Sequence, residues 1–319
     1  MQTFDIFNGD ADGICSLIQL RLSSPKQSTL ITGVKRDIQL LAGLEVEKND
    51  EINILDISLD KNRSDLERLL KSGARIFYCD HHFSGDIPLY ENLESLINTA
   101  SDVCTSVLIN KYLDGKHLNW AIVGTFGDNL KKTAMSLAKK TTLTSSELSL
   151  MEKLGIFINY NAYGSSLDDL HFDPAELYSI LVKFNDPLDF IKDDIKHFEK
   201  LSNAYSEDMR KAASAECIFS NKNCAAYLLP DEKWARRVSG VFGNLLANKF
   251  NQRAHAVITK KRDGDYLVSV RAPLSNKINA DVLCKEFPSG GGRKAAAGIN
   301  ALPSEKLSTF LDRLKTTYS

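Results

Sequence analysis

The stretch FNGDADGICS, residues 7 to 16, concentrates oxygen-bearing side chains in one short turn, with Asn8, Asp10 and Asp12 at alternate positions before a glycine. Such a pattern also begins the calcium loop of an EF-hand. That loop needs a glutamate at its twelfth position, where this chain has Gln19. The simplest alternative is a strand-to-helix turn in which Asp10 or Asp12 caps the helix that follows.

Farther along the chain, residues that could do chemistry come directly after apolar runs. Asp56 follows INIL, Asp80, His81 and His82 follow RIFYC, and Asp128 lies in GTFGDN. A mixed set of carboxylates and imidazoles suits Mn²⁺ or a similar divalent metal. Such a metal lowers the pKa of bound water and binds phosphoryl oxygens, which is the usual scheme of phosphoester hydrolysis. Two adjacent histidines could divide the work, one binding metal and the other facing a phosphate.

The elements that must position these residues are indicated by hydrophobic periodicity. Apolar runs alternate with helix-like stretches such as DLERLLKSG, and this rhythm predicts β-α-β units. We therefore expect an α/β fold whose mostly parallel sheet is flanked by helices, with the polar residues at the carboxyl ends of its strands. The strand-like runs are TFDIF (3–7), TLITGV (29–34), INILDI (52–57) and ARIFYCD (74–80).

Three regions follow from the composition along the chain. Residues 1–185 form the predicted catalytic domain, residues 186–215 are a polar stretch that fits a connecting helix, and residues 216–319 return to strand patterns. In this last region RDGD is a hairpin signal between two strand-like runs. It is predicted to be a second, smaller α/β domain.

The net charge of −1 conceals two opposite regions. Residues 216–319 carry a balance of +8 and residues 1–215 a balance of −9. A basic region attracts phosphates, and an acidic region can hold cations. The six cysteines are scattered, which predicts free thiols. No stretch is apolar enough for a membrane helix and no secretory pattern opens the chain, so we expect a cytoplasmic protein with no membrane partner.

Four segments together carry a family resemblance. In this order and at these spacings, NGDADG, LDIS, DHH and GTFGDN resemble the motifs of the DHH phosphoesterase superfamily. That superfamily includes RecJ-type exonucleases, nanoRNases, phosphatases of 3'-phosphorylated nucleotides and cyclic-dinucleotide phosphodiesterases. The segment FPSGGGRKAAAGI (287–299) is similar to the signature of the DHH-associated C-terminal domain.

The resemblance implies a metal-binding catalytic site. It would comprise Asp10, Asp56, His81 and Asp128, with Asp56 bridging if a second metal binds. The family's first motif commonly supplies a histidine and an aspartate to that second metal. Here Asn8 replaces the aspartate and no histidine precedes it, so one metal site is expected intact and the other weakened. The predicted metal ligands are Asn8, Asp10, Asp12, Asp56, His81 and Asp128; the predicted catalytic residues are His82, Asp56 and Asp80.

The glycine triplet predicts a phosphate-binding site in the second domain. Three glycines let backbone N–H groups approach an anion closely, with charged side chains beside them, although a tight turn entering a packed helix would use the same residues. Where the family usually has a histidine, this chain has Arg293, which keeps the charge but not proton transfer near neutral pH. The predicted substrate-binding residues are Gly290, Gly291, Gly292, Arg293, Lys294 and Arg271.

These observations predict a Mn-dependent phosphoesterase, with Mg as the other candidate metal. Its substrates would be short oligonucleotides or small nucleotides, because a near-neutral chain offers few contacts to a long polymer. Two alternatives stay open: a RecJ-like exonuclease acting on single-stranded DNA, and a nucleotide-binding regulatory module that hydrolyses nothing. The sequence leaves a homodimer open as well.

Overall fold

The computed structural model describes residues 1–319, which divide into two compact units, Met1–Tyr205 and Ser206–Ser319. The division falls inside a long helix and within the stretch 186–215 that the sequence assigns to a connecting helix. Each unit has its own sheet and its own hydrophobic core. The division leaves the charge balance unchanged, at −9 in the first unit and +8 in the second.

The first unit is built on a five-stranded, entirely parallel sheet of order β2-β1-β3-β4-β5. Its strands are β1 (Thr3–Phe7), β2 (Thr29–Ile31), β3 (Glu51–Leu55), β4 (Arg75–Asp80) and β5 (Leu93–Ile97). Its helices are α1 (Ala11–Ser23), α2 (Leu59–Lys71), α3 (Thr105–Tyr112), α4 (Leu118–Gly127), α5 (Lys131–Ala138), α6 (Ser145–Asn161), α7 (Pro174–Leu181) and α8 (Pro187–Asp193), and α9 (Ile195–Ala213) contains the division. A 3₁₀ turn spans Leu167–Asp169.

Both faces of this sheet are buried, because successive strand residues point to opposite sides. Ile6 in β1 and Ile54 in β3 pack with the leucines of α2 in one cluster. Phe7 and Leu55, one position on, pack with α1, α4 and α6 in another. The helix–sheet–helix arrangement confirms the predicted fold class.

Because every strand runs the same way, the carboxyl ends of β1, β3 and β4 meet at one edge of the sheet. The segments after β1 and β3 carry Asp10, Asp12 and Asp56, and β4 ends on Asp80 before the two histidines. Asp128, expected after a strand, instead follows helix α4 and reaches the same cavity from there. The end of β2 comes earlier than expected: the predicted run 29–34 forms a strand only over Thr29–Ile31. Beyond it the chain turns, with the backbone N–H of Val34 bonded to the Asp37 carboxylate, and this turn delivers Lys35 to the same edge.

The second unit contains a six-stranded mixed sheet of order β10-β11-β9-β8-β7-β6. Only β7 and β8 pair in parallel, and β8 and β9 form the hairpin that RDGD indicates. The strands are β6 (Glu216–Ser220), β7 (Cys224–Leu229), β8 (Ala254–Lys260), β9 (Tyr266–Arg271), β10 (Gly290–Arg293) and β11 (Ala296–Leu302). The helices are α10 (Lys233–Lys249), α11 (Ala280–Lys285) and α12 (Leu307–Thr317), with a 3₁₀ turn at Ser304–Lys306.

In this unit α10 packs on one face of the sheet and α11 and α12 on the other. All six cysteines of the chain are free thiols, as predicted. Across both units, no helix is long enough and apolar enough to cross a bilayer.

Candidate active site

The loop after β1 is held by its own polar residues. Asp10 is the N-cap of α1, and its Oδ1 accepts hydrogen bonds from the backbone N–H groups of Asp12 (3.0 Å) and Gly13 (3.1 Å). The Asn8 side-chain oxygen accepts from the Asp10 backbone N–H at 3.2 Å. The capping alternative therefore describes Asp10, whose other carboxylate oxygen accepts from Lys35.

Asp12 has a different task. Its two carboxylate oxygens accept from the backbone N–H groups of Thr105 and Ser106, both at 2.7 Å. These amides open α3, so Asp12 caps that helix rather than its own and fixes α3 against α1. Asp12 is 1 % exposed, and its Oδ2 lies 3.9 Å from His81 Nε2.

His81 lies at the centre of the acidic residues. Its Nε2 is 3.4 Å from Asp56 Oδ1 and 3.9 Å from Asp128 Oδ2. Two groups of ligand atoms lie within 4.8 Å of one another: Asp56 with both histidines, and Asp12 with His81 and Asp128. Donors that share one ion at bond lengths of about 2.1 Å lie roughly 3 Å apart. The distances of 3.4 and 3.9 Å from His81 Nε2 are somewhat longer than this.

Asp56 reaches this position through an unusual backbone conformation. Its φ of 60° is in the left-handed region, directly after the last residue of β3. Residues other than glycine adopt that region at a cost of about 1 kcal/mol or more, and such residues concentrate at functional sites. The side chain is buried and accepts a hydrogen bond from the Thr105 hydroxyl at 3.3 Å.

The electrostatics of the cluster fit a divalent cation. Burial, and then the neighbouring carboxylates Asp12 and Asp10, raise the pKa of Asp56 well above its usual value. The same causes raise the pKa of Asp128 to about 7. Both shifts agree with a buried cluster in which carboxylates outnumber the cationic side chains. A site rich in oxygen donors, with imidazole beside them and uncompensated negative charge, is suited to Mn²⁺ or Mg²⁺.

His82 is oriented by Asp80. Its Nδ1 lies 2.7 Å from Asp80 Oδ1, which leaves Nε2 as the free ring nitrogen. Burial would lower the pKa of His82, but the hydrogen bond and charge of Asp80 raise it overall. Asp80 is completely buried and its Oδ2 has no hydrogen-bond partner. The pair therefore holds a ring that favours the protonated, donating form.

A cavity of about 240 Å³ opens at these side chains. Four of the residues around it were not predicted from the sequence: Lys35, Ile38, Ser58 and Lys61. Lys35 directly follows a predicted strand, as His81 does. Hydrophobic periodicity could therefore have placed it at the same sheet edge. The Asn159 side-chain oxygen accepts a hydrogen bond from Lys35 Nζ at 3.0 Å. Asn159 lies in α6, and no sequence pattern marks it as a site residue.

The predicted phosphate-binding segment forms β10 in the second unit, an edge strand paired only with β11. A Cβ on Gly290 would lie 1.8 Å from the Cys284 carbonyl oxygen, and one on Gly292 would lie 2.5 Å from Ala297 Cα. Packing alone therefore requires these two glycines. A Cβ on Gly291 would meet nothing within 4 Å. Arg293 and the adjacent Lys294 are exposed.

Arg271 is held by hydrogen bonds within the second unit. Its guanidinium donates to Asn244 Oδ1 (2.6 Å), Ser269 Oγ (2.9 Å), the Val270 carbonyl oxygen (3.1 Å) and the Gly240 carbonyl oxygen (3.2 Å). These contacts fix β9 to α10. An arginine held in this way is rigid, so it would bind a ligand only in one orientation.

Residues 221–319 match the family model of the DHHA1 domain. No curated protein matches the sequence significantly. Among solved structures, a manganese-bound exonuclease RecJ aligns over 99% of this chain and 89% of its own, with 16% identity and a TM-score of 0.60. RecJ from Thermus thermophilus in complex with Mn²⁺ aligns with 15% identity and a TM-score of 0.63. That alignment covers 99% of this chain but only 51% of the Thermus protein.

The pGpG-specific phosphodiesterase PggH from Vibrio cholerae aligns over 99% of both chains, with 12% identity and a TM-score of 0.58. At these identities the likeness shows a common fold. The chain thus has a C-terminal region that matches the DHHA1 model, and its fold is similar to that of RecJ.

Proposed function

We propose that this chain, a DHH-superfamily protein with a C-terminal DHHA1 domain, is a divalent-metal-dependent phosphoesterase that hydrolyses phosphodiester bonds in short oligonucleotides or small nucleotides. The observation that carries the proposal is the position of His81, whose Nε2 lies within 4 Å of carboxylate oxygens of Asp12, Asp56 and Asp128. Fold alone would not support it, because one fold hosts many functions.

His81 would hold the ion together with Asp56 and Asp128, which belong to the two groups of candidate ligands that share His81; the other members of these groups are His82 and Asp12. Manganese is the first candidate and magnesium the second, and RecJ of Thermus thermophilus has been solved with each. When bound, a divalent ion would lower the pKa of water and polarise a phosphoryl oxygen.

The protein's own contribution would come from His82 and its partner. Because Asp80 occupies Nδ1, the ring presents Nε2 as an N–H donor for a phosphoryl oxygen. A donor already held in place loses little entropy when charge develops on that oxygen, so it stabilises the transition state more than the ground state. Asp80 is a positioning residue in this scheme.

The size of the site favours a short substrate. A cavity of about 240 Å³ accommodates a phosphoryl group and part of a sugar, and is small beside ordinary ligand pockets of roughly 300–1,000 Å³. In the second unit, Arg293, Lys294 and the open backbone at Gly291 would form a phosphate-binding site. The V. cholerae protein with this fold is named for its action on pGpG, which has only two nucleosides.

The second candidate is a nucleotide-binding module that hydrolyses nothing. The observation in its favour is that Asn8 and Asp10 are both engaged in hydrogen bonds within the protein. If catalysis requires the aspartate that Asn8 replaces in the first motif, this chain would be inactive.

The test is release of mononucleotide or phosphate with Mn²⁺ from a panel of substrates. The panel contains two- to five-mer RNA and DNA, a long single strand, a cyclic dinucleotide and a 3'-phosphorylated nucleotide. We expect turnover on a short member that is lost by at least about 100-fold in Asp56→Asn and His81→Ala. Asparagine tolerates the left-handed backbone at position 56, so that variant removes charge without adding strain.

Asp65→Asn is the matched control, because Asp65 pairs with Arg68 on the exposed side of α2. It should keep full activity. Turnover that survives in Asp56→Asn, or nucleotide binding without turnover on any substrate, would contradict the hydrolase proposal; the second result would favour the binding module.

A further inference from the structure

Lys35 places a positive charge inside the acidic cluster. Its ammonium pairs with Asp10, lies 3.0 Å from Asn159 Oδ1 and is 3.9 Å from Asp128 Oδ1. No other lysine or arginine side chain forms an ion pair with the carboxylates of Asp10, Asp12, Asp56, Asp80 or Asp128. The Lys35 backbone is fixed as well, since its N–H donates to the Ala162 carbonyl oxygen at 3.0 Å.

On the Lys35 side of the cluster, the side-chain oxygens of Asp10 and Asn8 are all engaged in hydrogen bonds within the protein. One Asp10 oxygen accepts two backbone N–H groups, and the other accepts from Lys35. The Asn8 oxygen accepts from the Asp10 backbone N–H, and its Nδ2 donates to the Lys35 carbonyl oxygen at 3.4 Å. Asp10 belongs to neither of the two groups of candidate ligands. Lys35 and a metal ion would therefore use opposite sides of the cluster.

Resting on the proposed function, we propose that Lys35 is a fixed cation that takes the place of a second metal ion. The site then holds one divalent ion, on the side of Asp56, His81 and Asp128, with the ammonium on the side of Asp10. An asparagine at position 8 agrees with this arrangement, because an aspartate there would add negative charge that only a second metal would balance.

The ammonium would also act on the substrate. It carries three N–H groups, of which two are directed to Asp10 and Asn159. Lys35 lines the cavity with its side chain 30 % exposed, so the third N–H is available to a phosphoryl oxygen. A lysine that merely stabilised the fold would have no need to face the cavity.

The test counts metal ions in the full chain by titration calorimetry with MnCl₂ after chelation, and checks the count by electron paramagnetic resonance. We expect one Mn²⁺ in the native protein. Lys35→Met keeps the length of the side chain but removes its charge, so the freed oxygens of Asp10 and Asp128 should bind a second ion. Lys35→Gln is a second neutral variant in case the first is poorly folded, and Lys35→Arg should keep one ion.

Lys131→Met is the matched control, because Lys131 pairs with Glu152 on the surface at 2.7 Å. It should leave the count at one. Two ions in the native protein, or one ion in both neutral Lys35 variants, would overturn the inference. In the hydrolysis assay with one equivalent of Mn²⁺, so that only the first ion site is filled, kcat should fall by about 10–100-fold in Lys35→Met and recover in part in Lys35→Arg. An unchanged kcat would overturn the role in the reaction.

The two proposals fail in different ways. A native protein that binds one Mn²⁺ but turns over no substrate would contradict the phosphoesterase proposal, while the counts in the Lys35 variants would still decide the place of the lysine. A native protein that binds no Mn²⁺ would contradict both. Asp56→Asn reports the metal separately, since it should abolish binding whichever residue occupies position 35.

Discussion

At the scale of single residues, the acidic side chains of the candidate site each have a structural task beside their charge. Asp10 caps α1, Asp12 fixes the start of α3, and Asp80 orients His82. Each of these hydrogen bonds occupies a particular carboxylate oxygen. The question of which carboxylates can bind a metal is therefore decided by hydrogen bonds as much as by proximity.

These hydrogen bonds are the part of the site that the sequence could not predict. Asp56 and His81 were predictable because strand periodicity puts them at one sheet edge. Asn159 was not, since it lies 124 residues from Lys35 and an asparagine in a helix has no distinctive pattern. The pairing of Asp12 with α3 likewise joins residues more than 90 positions apart.

A buried histidine in the second unit leads to a prediction about pH. His255 in β8 is completely buried, and burial lowers its pKa to about 4. The unfolded chain then binds the proton more readily than the folded one, so stability is lost as the pH falls from about 6.5 towards 4. From about pH 7.5 to about pH 5 this residue should lower the free energy of unfolding by about 2 kcal/mol.

The measurement is urea unfolding followed by fluorescence in a Trp120→Phe background. Trp234 in α10 is then the only tryptophan, so it reports the second unit alone. His255→Leu should flatten the pH dependence by about that amount. An equally steep loss of stability in this variant would show that another group titrates.

At the scale of elements, three helices of the first unit meet at glycines. A Cβ on Gly127, the last residue of α4, would lie 2.2 Å from Ala11 Cβ in α1 and 2.9 Å from the Gly155 carbonyl oxygen in α6. Gly155 is just as restricted, because its Cβ would lie 2.4 Å from the Val123 carbonyl oxygen. This close approach sets the position of Asp128, which follows Gly127 directly.

Gly127→Ala should therefore separate α4 from its neighbours and lower the free energy of unfolding by about 1–3 kcal/mol. It should also weaken Mn²⁺ binding, since Asp128 would move. Calorimetry and Trp120 fluorescence measure the two effects. Gly240→Ala in α10 is the control, because its nearest neighbour would be Arg271 Nη2 at 3.5 Å. There the methyl group should be neutral or slightly stabilising; an equal loss in both variants would argue against the steric explanation.

In the glycine triplet of β10, the effects of packing and of phosphate binding can be tested at different positions. Gly290→Ala should destabilise the second unit, since the methyl group would collide with the Cys284 carbonyl oxygen. Gly291→Ala has open space and should change the free energy of unfolding by less than about 0.5 kcal/mol. We nevertheless expect it to raise KM for the oligonucleotide by about tenfold, because a Cβ keeps the phosphate from the backbone. A KM within twofold of the native value would remove Gly291 from the proposed site.

The elements themselves were largely predictable, and their ends were not. Hydrophobic alternation indicated the strand INILDI, and the structure ends β3 at Leu55 because Asp56 turns into the left-handed region. The run TLITGV gave a three-residue strand, since the turn held by Asp37 begins before the apolar residues end. Periodicity reports burial, and a buried residue need not continue a strand.

At the scale of the whole molecule, the opposite charges of the two units predict how the protein handles its substrate. A unit with a balance of −9 holds the candidate metal site and repels free phosphates, whereas a unit with +8 attracts them. Attraction of this kind depends on salt, because each contact between a cation and a phosphate releases a counterion. A short substrate has few phosphates, so its KM should depend on salt only weakly.

This reasoning leads to a measurable slope. For a short single-stranded substrate, the logarithm of KM should rise with the logarithm of the salt concentration, with a slope near the number of phosphates contacted times about 0.7. The double variant Arg293→Gln with Lys294→Gln removes one phosphate site and should reduce that slope by about 0.7. Lys222→Gln with Lys306→Gln removes the same charge from exposed positions outside the glycine strand and should leave the slope unchanged. An equal reduction in both double variants would mean that the net charge of the unit, and not a defined phosphate site at β10, attracts the substrate.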